Sequence, residues 1–169
     1  MAESSRHDRL QPSLLDRLTD NAPESKRESY DQQTLSMQQL RQAVLRDLAW
    51  LLNTTNLAAT DELEATPQAA TSTVNFGIPN FIGMVGAASQ GVSLETSIAT
   101  AIRNFEPRIR PNSVRVHARE EIGDNGLPSL IFDIHGELWA QPVPQQLFLE
   151  TSIDLKSRLA VVTEAKVRR

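Results

Sequence analysis

The segment that follows residue 36 carries apolar residues at the spacing of an amphipathic helix. Its stripe consists of four residues separated by four or three positions: Leu40, Val44, Leu48 and Leu51. Ser36 stands before the stripe and Gln39 three positions later, which is the pattern of a capping box at a helix N-terminus. The pattern therefore predicts a helix of about four turns, ending near Asn53.

A second stripe with the same spacing lies between Ser93 and Pro107. It consists of Leu94, Ile98, Ile102 and Phe105. Ser93 is a suitable N-cap, and Pro107 ends the helix because the residue before a proline is pushed out of helical geometry. Three glycines between positions 83 and 91 predict an irregular segment before this helix.

A shorter helix is predicted near the N-terminus, at residues 12–18. Proline stands near its start, where the missing N–H costs nothing. Its apolar residues are Leu10, Leu14, Leu15 and Leu18. Fewer than about 12 residues cannot hold a helix in water without other contacts. These leucines must therefore dock either on this protein's own core or on a partner, and residues 21–33 are predicted to form a linker.

The C-terminal part of the chain alternates apolar and polar residues, which is typical of strands with one buried face. The apolar positions of four predicted strands are Val114, Val116 and Ala118, then Leu130, Phe132, Ile134 and Leu138, then Leu147, Leu149, Ile153 and Leu155, and finally those in the segment 159–163. Turn signals at residues 123–126 and 156–158 separate the strands. Earlier in the chain, residues 53–73 predict a long surface loop with a short helical turn. Residues 73–80 predict an ordered, extended segment.

Helices followed by a meander of strands predict an α+β fold, with the helices packed on one face of a mainly antiparallel four-stranded β-sheet. The chain has 169 residues, enough for one domain with a substantial core. We therefore predict an N-terminal extension at residues 1–33, a single domain at residues 34–165 and a basic tail at residues 166–169.

Composition argues against several classes of function. The chain has 17 basic and 21 acidic residues and a net charge of −4, whereas nucleic-acid binding needs a concentrated basic surface. The absence of cysteine excludes disulfides, cysteine metal ligands and thiol nucleophiles. No apolar run approaches the roughly 20 residues that a membrane-spanning helix needs. We expect a soluble protein that inserts into no membrane and reaches one only through partners.

Candidate chemistry is sparse. His117 and His135 fall on the polar faces of neighbouring predicted strands, but Arg115 and Arg119 beside them would repel a metal ion. Such a face is typical of cross-strand charge pairing in solvent. The sequence has no phosphate-binding glycine loop and no serine elbow. No catalytic residue, metal ligand or cofactor is therefore predicted.

The most unusual polar cluster is Glu106-Pro107-Arg108, between the second helix and the first strand. Because proline fixes the backbone, Glu106 and Arg108 are predicted to project from a rigid corner. The two charges can bind each other, or they can offer paired hydrogen bonds to a partner. A glycosidase acid at Glu106 would need an apolar site and a second carboxylate roughly 5 to 9.5 Å away. The adjacent arginine favours the ionised form, which disfavours that role.

Several segments, taken in order, resemble the TssE family of baseplate subunits from bacterial type VI secretion systems, relatives of a wedge protein of contractile-phage baseplates. The segments that carry the resemblance are Pro12–Leu18, Leu45–Thr54, Asn75–Pro79, Phe105–Ile109 and Phe132–Leu138, followed by Ile153-Asp154. Each motif is weak alone, and their shared order makes the signal specific. The resemblance implies a structural protein rather than an enzyme, although the family has been labelled lysozyme-like.

The resemblance also implies a set of partners. It places the protein in the cytoplasmic baseplate wedge with TssF, TssG and TssK, at a secretion complex anchored in the inner membrane. It assigns Glu106, Pro107 and Arg108 to contacts with the wedge core. The sheet would pair strands with the first ring of the TssB/TssC sheath. Leu14, Leu15 and Leu18 are the candidate partner contacts of the N-terminal helix.

Two alternatives remain at this point. One is a peptidoglycan-cleaving hydrolase built around Glu106. The other is a subunit with the same architectural role in a phage tail or an extracellular injection machine.

Overall fold

The structure is a computed structural model that describes residues 12–19, 23–24, 35–80, 88–122, 128–139, 145–153 and 160–165. Within these residues the fold is α+β, as predicted. The helices are α1 (Leu14–Leu18), α2 (Met37–Leu52), α3 (Pro67–Ala70) and α4 (Ala88–Phe105). The strands are β1 (Arg115–Ile122), β2 (Pro128–Leu138), β3 (Gln145–Ile153) and β4 (Ala160–Glu164).

Helix α2 begins and ends where its sequence pattern predicts. The Ser36 hydroxyl accepts a hydrogen bond from the N–H of Gln39, and the Gln39 side chain accepts one from the N–H of Ser36, which completes the capping box. Asn53 caps the C-terminus through its backbone N–H. The predicted stripe is the buried face: Leu40, Val44, Leu48 and Leu51.

Helix α4 is longer than its sequence pattern predicts. It begins at Ala88, so Ser93 lies inside the helix and its predicted role as the N-cap is wrong. The predicted irregular segment is also wrong from Ala88 onward, because Gly91 lies within the helix. A glycine in a helix interior costs only about 1 kcal/mol relative to alanine, which a packed helix can absorb.

The four strands form one antiparallel sheet in the order β1-β2-β3-β4. Helix α4 packs against β1 and helix α2 against β4, so both long helices cover the same face. The core between the layers is aliphatic apart from Phe132, which is completely buried. The other face carries the polar residues that alternate with the core positions. This arrangement confirms the predicted layers.

The loop between α2 and α4 is organised by two residues. The buried amide of Asn75 accepts a hydrogen bond from the N–H of Ala58 and donates one to the carbonyl oxygen of Ala70. Gly77 adopts a φ of +124°, and a Cβ there would lie 2.3 Å from the carbonyl oxygen of Thr54. The extended segment predicted for residues 73–80 is wrong at its start, because residues 73–75 form a 3-10 turn. The side chain of Asn75 favours that turn by bonding to the preceding loop.

Some predictions fall outside the described residues. These are Leu10, all of the predicted linker at 21–33 except residues 23–24, the glycines at 83 and 86, the turns at 123–126 and 156–158, the strand residues Leu155 and Leu159, and the tail at 166–169. The predicted domain boundaries stay predictions. Among the helices that the structure describes, none has the length and apolarity required to cross a membrane.

Candidate partner-binding site

The Glu106-Pro107-Arg108 corner is fixed to the end of β2 by backbone hydrogen bonds. The N–H of Trp139 donates to the carbonyl oxygen of Arg108 at 2.7 Å, and the N–H of Arg110 donates to that of Glu137 at 2.9 Å. Between these bonds, Ile109 forms an antiparallel bridge with Leu138. Residues 108–110 therefore act as a short additional strand, and the corner has a fixed position on the sheet.

Glu106 and Arg108 bind each other at this corner. The Arg108 guanidinium donates from Nε to Glu106 Oε1 at 2.8 Å and from Nη2 to Oε2 at 2.6 Å. The backbone N–H of Arg108 also donates to Oε1, at 3.0 Å. Glu106 is only 3% exposed, so the prediction that it projects outward from the corner is wrong. Its carboxylate turns inward, where it accepts hydrogen bonds from the backbone N–H, Nε and Nη2 of Arg108. Pro107 itself is exposed.

A chain of ion pairs continues from this corner to the N-terminal helix. Arg108 Nη2 also donates to Asp47 Oδ2 on α2. Asp47 Oδ1 accepts a hydrogen bond from Arg46 Nε at 2.8 Å, and Arg46 Nη1 donates to Asp16 Oδ1 on α1 at 2.6 Å. Five alternating charges thus join α1, α2 and the corner.

Two residues in this series of ion pairs, Arg108 and Asp16, have shifted pKa values. Burial acts to lower the pKa of Arg108, but the hydrogen bonds and charges of Glu106 and Asp47 outweigh it and raise that pKa. For Asp16, burial acts in the opposite direction and would raise the pKa of the carboxyl. Hydrogen bonds from Arg46 and Ser13 outweigh burial and hold the pKa of Asp16 below its ordinary value.

A cleft of about 470 Å³ opens beside the ion pairs. Its lining is mainly apolar: Leu15, Leu48, Trp50, Leu51, Phe76, Phe105 and Pro107, with Ser13, Asp47, Glu106 and Arg108 as the polar members. Phe76 and Phe105 meet edge to face with their ring centroids 5.5 Å apart. Among the described residues, Nη1 of Arg108 is buried without a hydrogen-bond partner. The cleft therefore combines apolar walls with charged residues that bind one another.

One of the three predicted contact residues of the N-terminal helix lines the same cleft. Leu15 lines it, whereas Leu14 and Leu18 are 72% and 75% exposed and contribute nothing to the described core. Helix α1 is held by the pair between Asp16 and Arg46 rather than by buried leucines. Two motifs about 90 positions apart in the sequence thus share one surface.

The sequence analysis missed three site residues: Arg46, Asp47 and Trp50. Asp47 and Arg46 look like solvated charges on the polar face of α2, and Trp50 interrupts that face as an exposed aromatic residue. The Arg46 guanidinium lies 5.2 Å from the centroid of the Trp50 ring, a cation–π contact. A tryptophan one turn after an arginine on a polar helix face is the one pattern from which this part of the site could have been predicted.

The geometry bears on the hydrolase alternative. Asp47 and Glu106 both line the cleft, so it does contain two carboxylates. However, Arg108 Nη2 bonds to both of them and stands between them. Both oxygens of Glu106 already accept hydrogen bonds from Arg108, and neither is placed to donate a proton to a glycosidic oxygen.

The two strand histidines, His117 and His135, are exposed. His135 packs edge to face on Phe148 with a centroid distance of 5.1 Å, and His117 pairs across the ladder with Asp133. In the part of the chain that the structure describes, no group of three histidine, aspartate or glutamate side chains is close enough together to hold a metal ion.

Comparison with known protein families gives a match. The model of one protein family, described as baseplate wedge protein gp25, matches residues 38–143. The match runs from α2 to beyond the end of β2 and includes Glu106, Pro107 and Arg108. Helix α1 and strands β3 and β4 lie outside it. No curated protein matches the chain.

Proposed function

The chain belongs to the family of baseplate wedge protein gp25, and from this premise we propose that it is the TssE-like subunit of a type VI secretion baseplate. The family is structural and phage tail-like, which supports a role in assembly. In this role the protein joins the wedge proteins TssF, TssG and TssK on the cytoplasmic side of a complex anchored in the inner membrane. It acts through contacts with other proteins and catalyses no reaction.

The observation that carries the proposal is the convergence of both sequence-predicted contact motifs on one apolar cleft. Leu15 of α1 and the Glu106-Pro107-Arg108 corner line the same cavity. Trp50 in the lining, and Leu14 and Leu18 on the same short helix as Leu15, add exposed apolar surface. An apolar pocket lined by aromatic side chains and an arginine resembles the centre of a protein interface, where such residues carry most of the affinity.

Glu106 acts here as a positioning residue for Arg108. Its two oxygens accept hydrogen bonds from Nε and Nη2 and so fix the guanidinium of Arg108, which lines the cleft. Pro107 is exposed and supplies direct contact surface, whereas Glu106 is buried.

The second part of the role is to anchor the contractile sheath. A sheet with helices on one face has its outer strands at two edges, and an edge strand accepts a further strand through backbone hydrogen bonds. The first TssB/TssC ring of the sheath would pair with the protein in this way.

Co-purification with TssF and TssG tests the wedge contact. We expect Glu106→Ala combined with Arg108→Ala to fold and to lose co-purification. The matched control removes the neighbouring surface pair of Arg110 and Glu137, whose charged atoms lie 3.7 Å apart, by changing both to alanine. Loss of co-purification in the control as well, or normal co-purification of the Glu106/Arg108 variant, would contradict the proposed contact.

A turbidity assay on purified cell-wall sacculi tests the hydrolase alternative. The proposal predicts no clearing by the protein and no difference between it and a Glu106→Gln variant. Clearing that is abolished by this single change would establish the enzyme instead.

A further inference from the structure

Helix α1 forms one wall of the cleft, although little of it is buried. Ser13 and Leu15 line the cavity, yet Leu15 is 44% exposed and none of the five residues of α1 is buried. A helix of fewer than about 12 residues is not stable in water by itself. The position of α1 therefore depends on its contacts with the rest of the domain.

One carboxylate both caps α1 and ties it to α2. Asp16 Oδ1 accepts a hydrogen bond from Arg46 Nη1 at 2.6 Å, and Asp16 Oδ2 accepts one from the hydroxyl of Ser13 at 2.6 Å. The hydroxyl oxygen of Ser13 in turn accepts a hydrogen bond from the N–H of Asp16, which caps the helix. The side chain of Asp16 is only 15% exposed in this arrangement. Formation of the helix and its docking on α2 therefore stabilise each other.

Release of α1 would leave the other charges of the series paired. Arg46 would keep its hydrogen bond to Asp47. Arg108 would keep its bonds to Asp47 and Glu106. Asp16 would return to water, where a carboxylate is well solvated. Undocking thus avoids the large cost of a buried charge without a partner, and the ion pair that opposes it is of the partly exposed kind, which contributes little energy.

The opposite wall of the cleft is fixed. Phe76 and Phe105 pack against each other edge to face. The corner that contains Pro107 is bound to the end of β2 by backbone hydrogen bonds, among them the one from the N–H of Trp139 to the carbonyl oxygen of Arg108. The cleft therefore lies between a rigid wall and a wall that the domain can release.

From these contacts we infer that α1 is a movable arm that closes on a wedge-protein segment bound in the cleft, with the ion pair of Asp16 and Arg46 as its latch. The inference rests on the proposed function, in which a wedge protein binds at this cleft. The cleft is open while α1 is docked, so an apolar segment can enter it without displacing α1. Such a segment would bury the exposed part of Leu15. Binding of the segment and docking of α1 therefore favour each other.

A pair of spin labels measures how much of α1 is docked. The chain has no cysteine, so Thr19→Cys after α1 and Gln38→Cys near the start of α2 introduce two specific labelling sites, both exposed. Pulsed electron paramagnetic resonance then separates the narrow distance distribution of docked α1 from the broad distribution of released α1. The probe is the purified TssF/TssG complex, whose affinity for the unlabelled chain is measured separately.

The labelled chain alone should show both distributions, and saturating TssF/TssG should increase the docked fraction. Asp16→Asn keeps the size of the side chain and removes its charge. It should lower the ratio of docked to released α1 by about two- to fivefold, the usual effect of a partly exposed ion pair. The affinity for TssF/TssG should also fall, by at most the same factor, because undocking reduces only the fraction of chains that can close on the segment.

Arg17→Gln is the matched control, because it removes an exposed charge from the same helix. It should change neither the docked fraction nor the affinity. A docked fraction that rises on binding, together with losses in Asp16→Asn but not in Arg17→Gln, supports the inference.

The opposing outcomes are distinct. A lower docked fraction on binding would show that the segment displaces α1, and a narrow distribution in every variant would show that α1 is a fixed part of the domain. Either result overturns the inference. Unchanged docking in Asp16→Asn, or an equal loss in Arg17→Gln, overturns the latch and leaves the wedge contact intact. No binding of TssF/TssG by the parent chain overturns the proposed wedge contact and the inference together.

Discussion

The guanidinium of Arg108 bonds to the carboxylate of Asp47, a residue 61 positions earlier in the chain. This pair ties the corner after α4 to the polar face of α2. Asp47 is shared, because its other oxygen accepts a hydrogen bond from Arg46. The position of Arg108 at the cleft therefore depends on two helices and on the buried carboxylate of Glu106.

This dependence predicts strong coupling between Glu106 and Arg108. Removing one member of a buried ion pair leaves the other charge uncompensated, which costs about 3 kcal/mol or more. We expect Arg108→Ala alone to lower the free energy of unfolding by about that amount, because it leaves the buried carboxylate of Glu106 without its cation. Glu106→Ala should cost less, since Arg108 keeps its pair with Asp47. We expect the double change of Glu106→Ala and Arg108→Ala to cost clearly less than the sum of the single changes, as measured by urea unfolding. Additive costs would mean that the two side chains do not stabilise each other.

A second prediction concerns Gly136, which faces the corner from β2. A Cβ at this position would lie 2.8 Å from Cγ2 of Ile109, and Ile109 is buried beside Arg108. We expect Gly136→Ala to lower the free energy of unfolding by about 1–3 kcal/mol, the usual cost of overpacking a core. Because Ile109 must shift, binding to the wedge proteins should weaken as well.

A double variant provides the control for Gly136. Ile109→Ala removes the clashing methyl group, so the added Cβ then occupies space that is already empty. The combined cost of Gly136→Ala and Ile109→Ala should be less than the sum of the single costs. If the two costs add in full, the contact between the new Cβ and Ile109 does not cause the loss of stability in Gly136→Ala.

The sequence predicts a helix or strand wherever the spacing of its apolar residues depends only on which face of that element is buried. Leu40 and Leu48 recur at helical spacing, and Phe132 and Ile134 alternate with polar residues, because burial of one face selects the residues of that same element. The inward turn of Glu106 could not be predicted in this way. It depends on how the chain brings Asp47 and Arg108 together, and no local periodicity encodes such a contact.

A third prediction concerns Thr151 in the core. Its side chain is completely buried, and among the described residues its Oγ1 has no hydrogen-bond partner. A buried unsatisfied polar group costs about 1–3 kcal/mol. Thr151→Val replaces the hydroxyl with a methyl group of similar size, and we expect the free energy of unfolding to rise by about 1 kcal/mol. Thr151→Ser keeps the hydroxyl and removes a methyl group, so it should destabilise. A loss of stability in the valine variant would contradict this account.

A fourth prediction separates the two possible docking sites of the α1 leucines. Leu14 and Leu18 are mostly exposed, so changing both to serine should alter the free energy of unfolding by no more than about 0.5 kcal/mol. The same change should reduce complex formation with the wedge proteins if these leucines contact a partner. Leu48→Ala in α2 is the contrasting variant, and it should cost about 2–5 kcal/mol as a buried leucine. A comparable loss in the serine variant would place the α1 leucines in this protein's own core.

The fifth prediction concerns the pH dependence of α1 docking. The pKa of Asp16 is lowered from its ordinary value of 3.8 by Arg46 and Ser13, against the effect of burial. The docked state therefore favours the ionised carboxylate, and its stabilisation is complete above about pH 4 and disappears as the pH falls through the lowered pKa. The contribution should be below about 1 kcal/mol, because Arg46 is partly exposed to solvent.

Trp50 reports on this contact, because the Arg46 guanidinium that binds Asp16 also lies over its ring. In a Trp139→Phe background, where Trp50 is the remaining tryptophan of the chain, its fluorescence should change as acid protonates Asp16 and releases Arg46. In the same background, Asp16→Asn cannot lose a charge and should show no such step. Since Asn keeps the size of the side chain, any difference between the two titrations reports the charge. Identical titrations would show that α1 is held by contacts other than this ion pair.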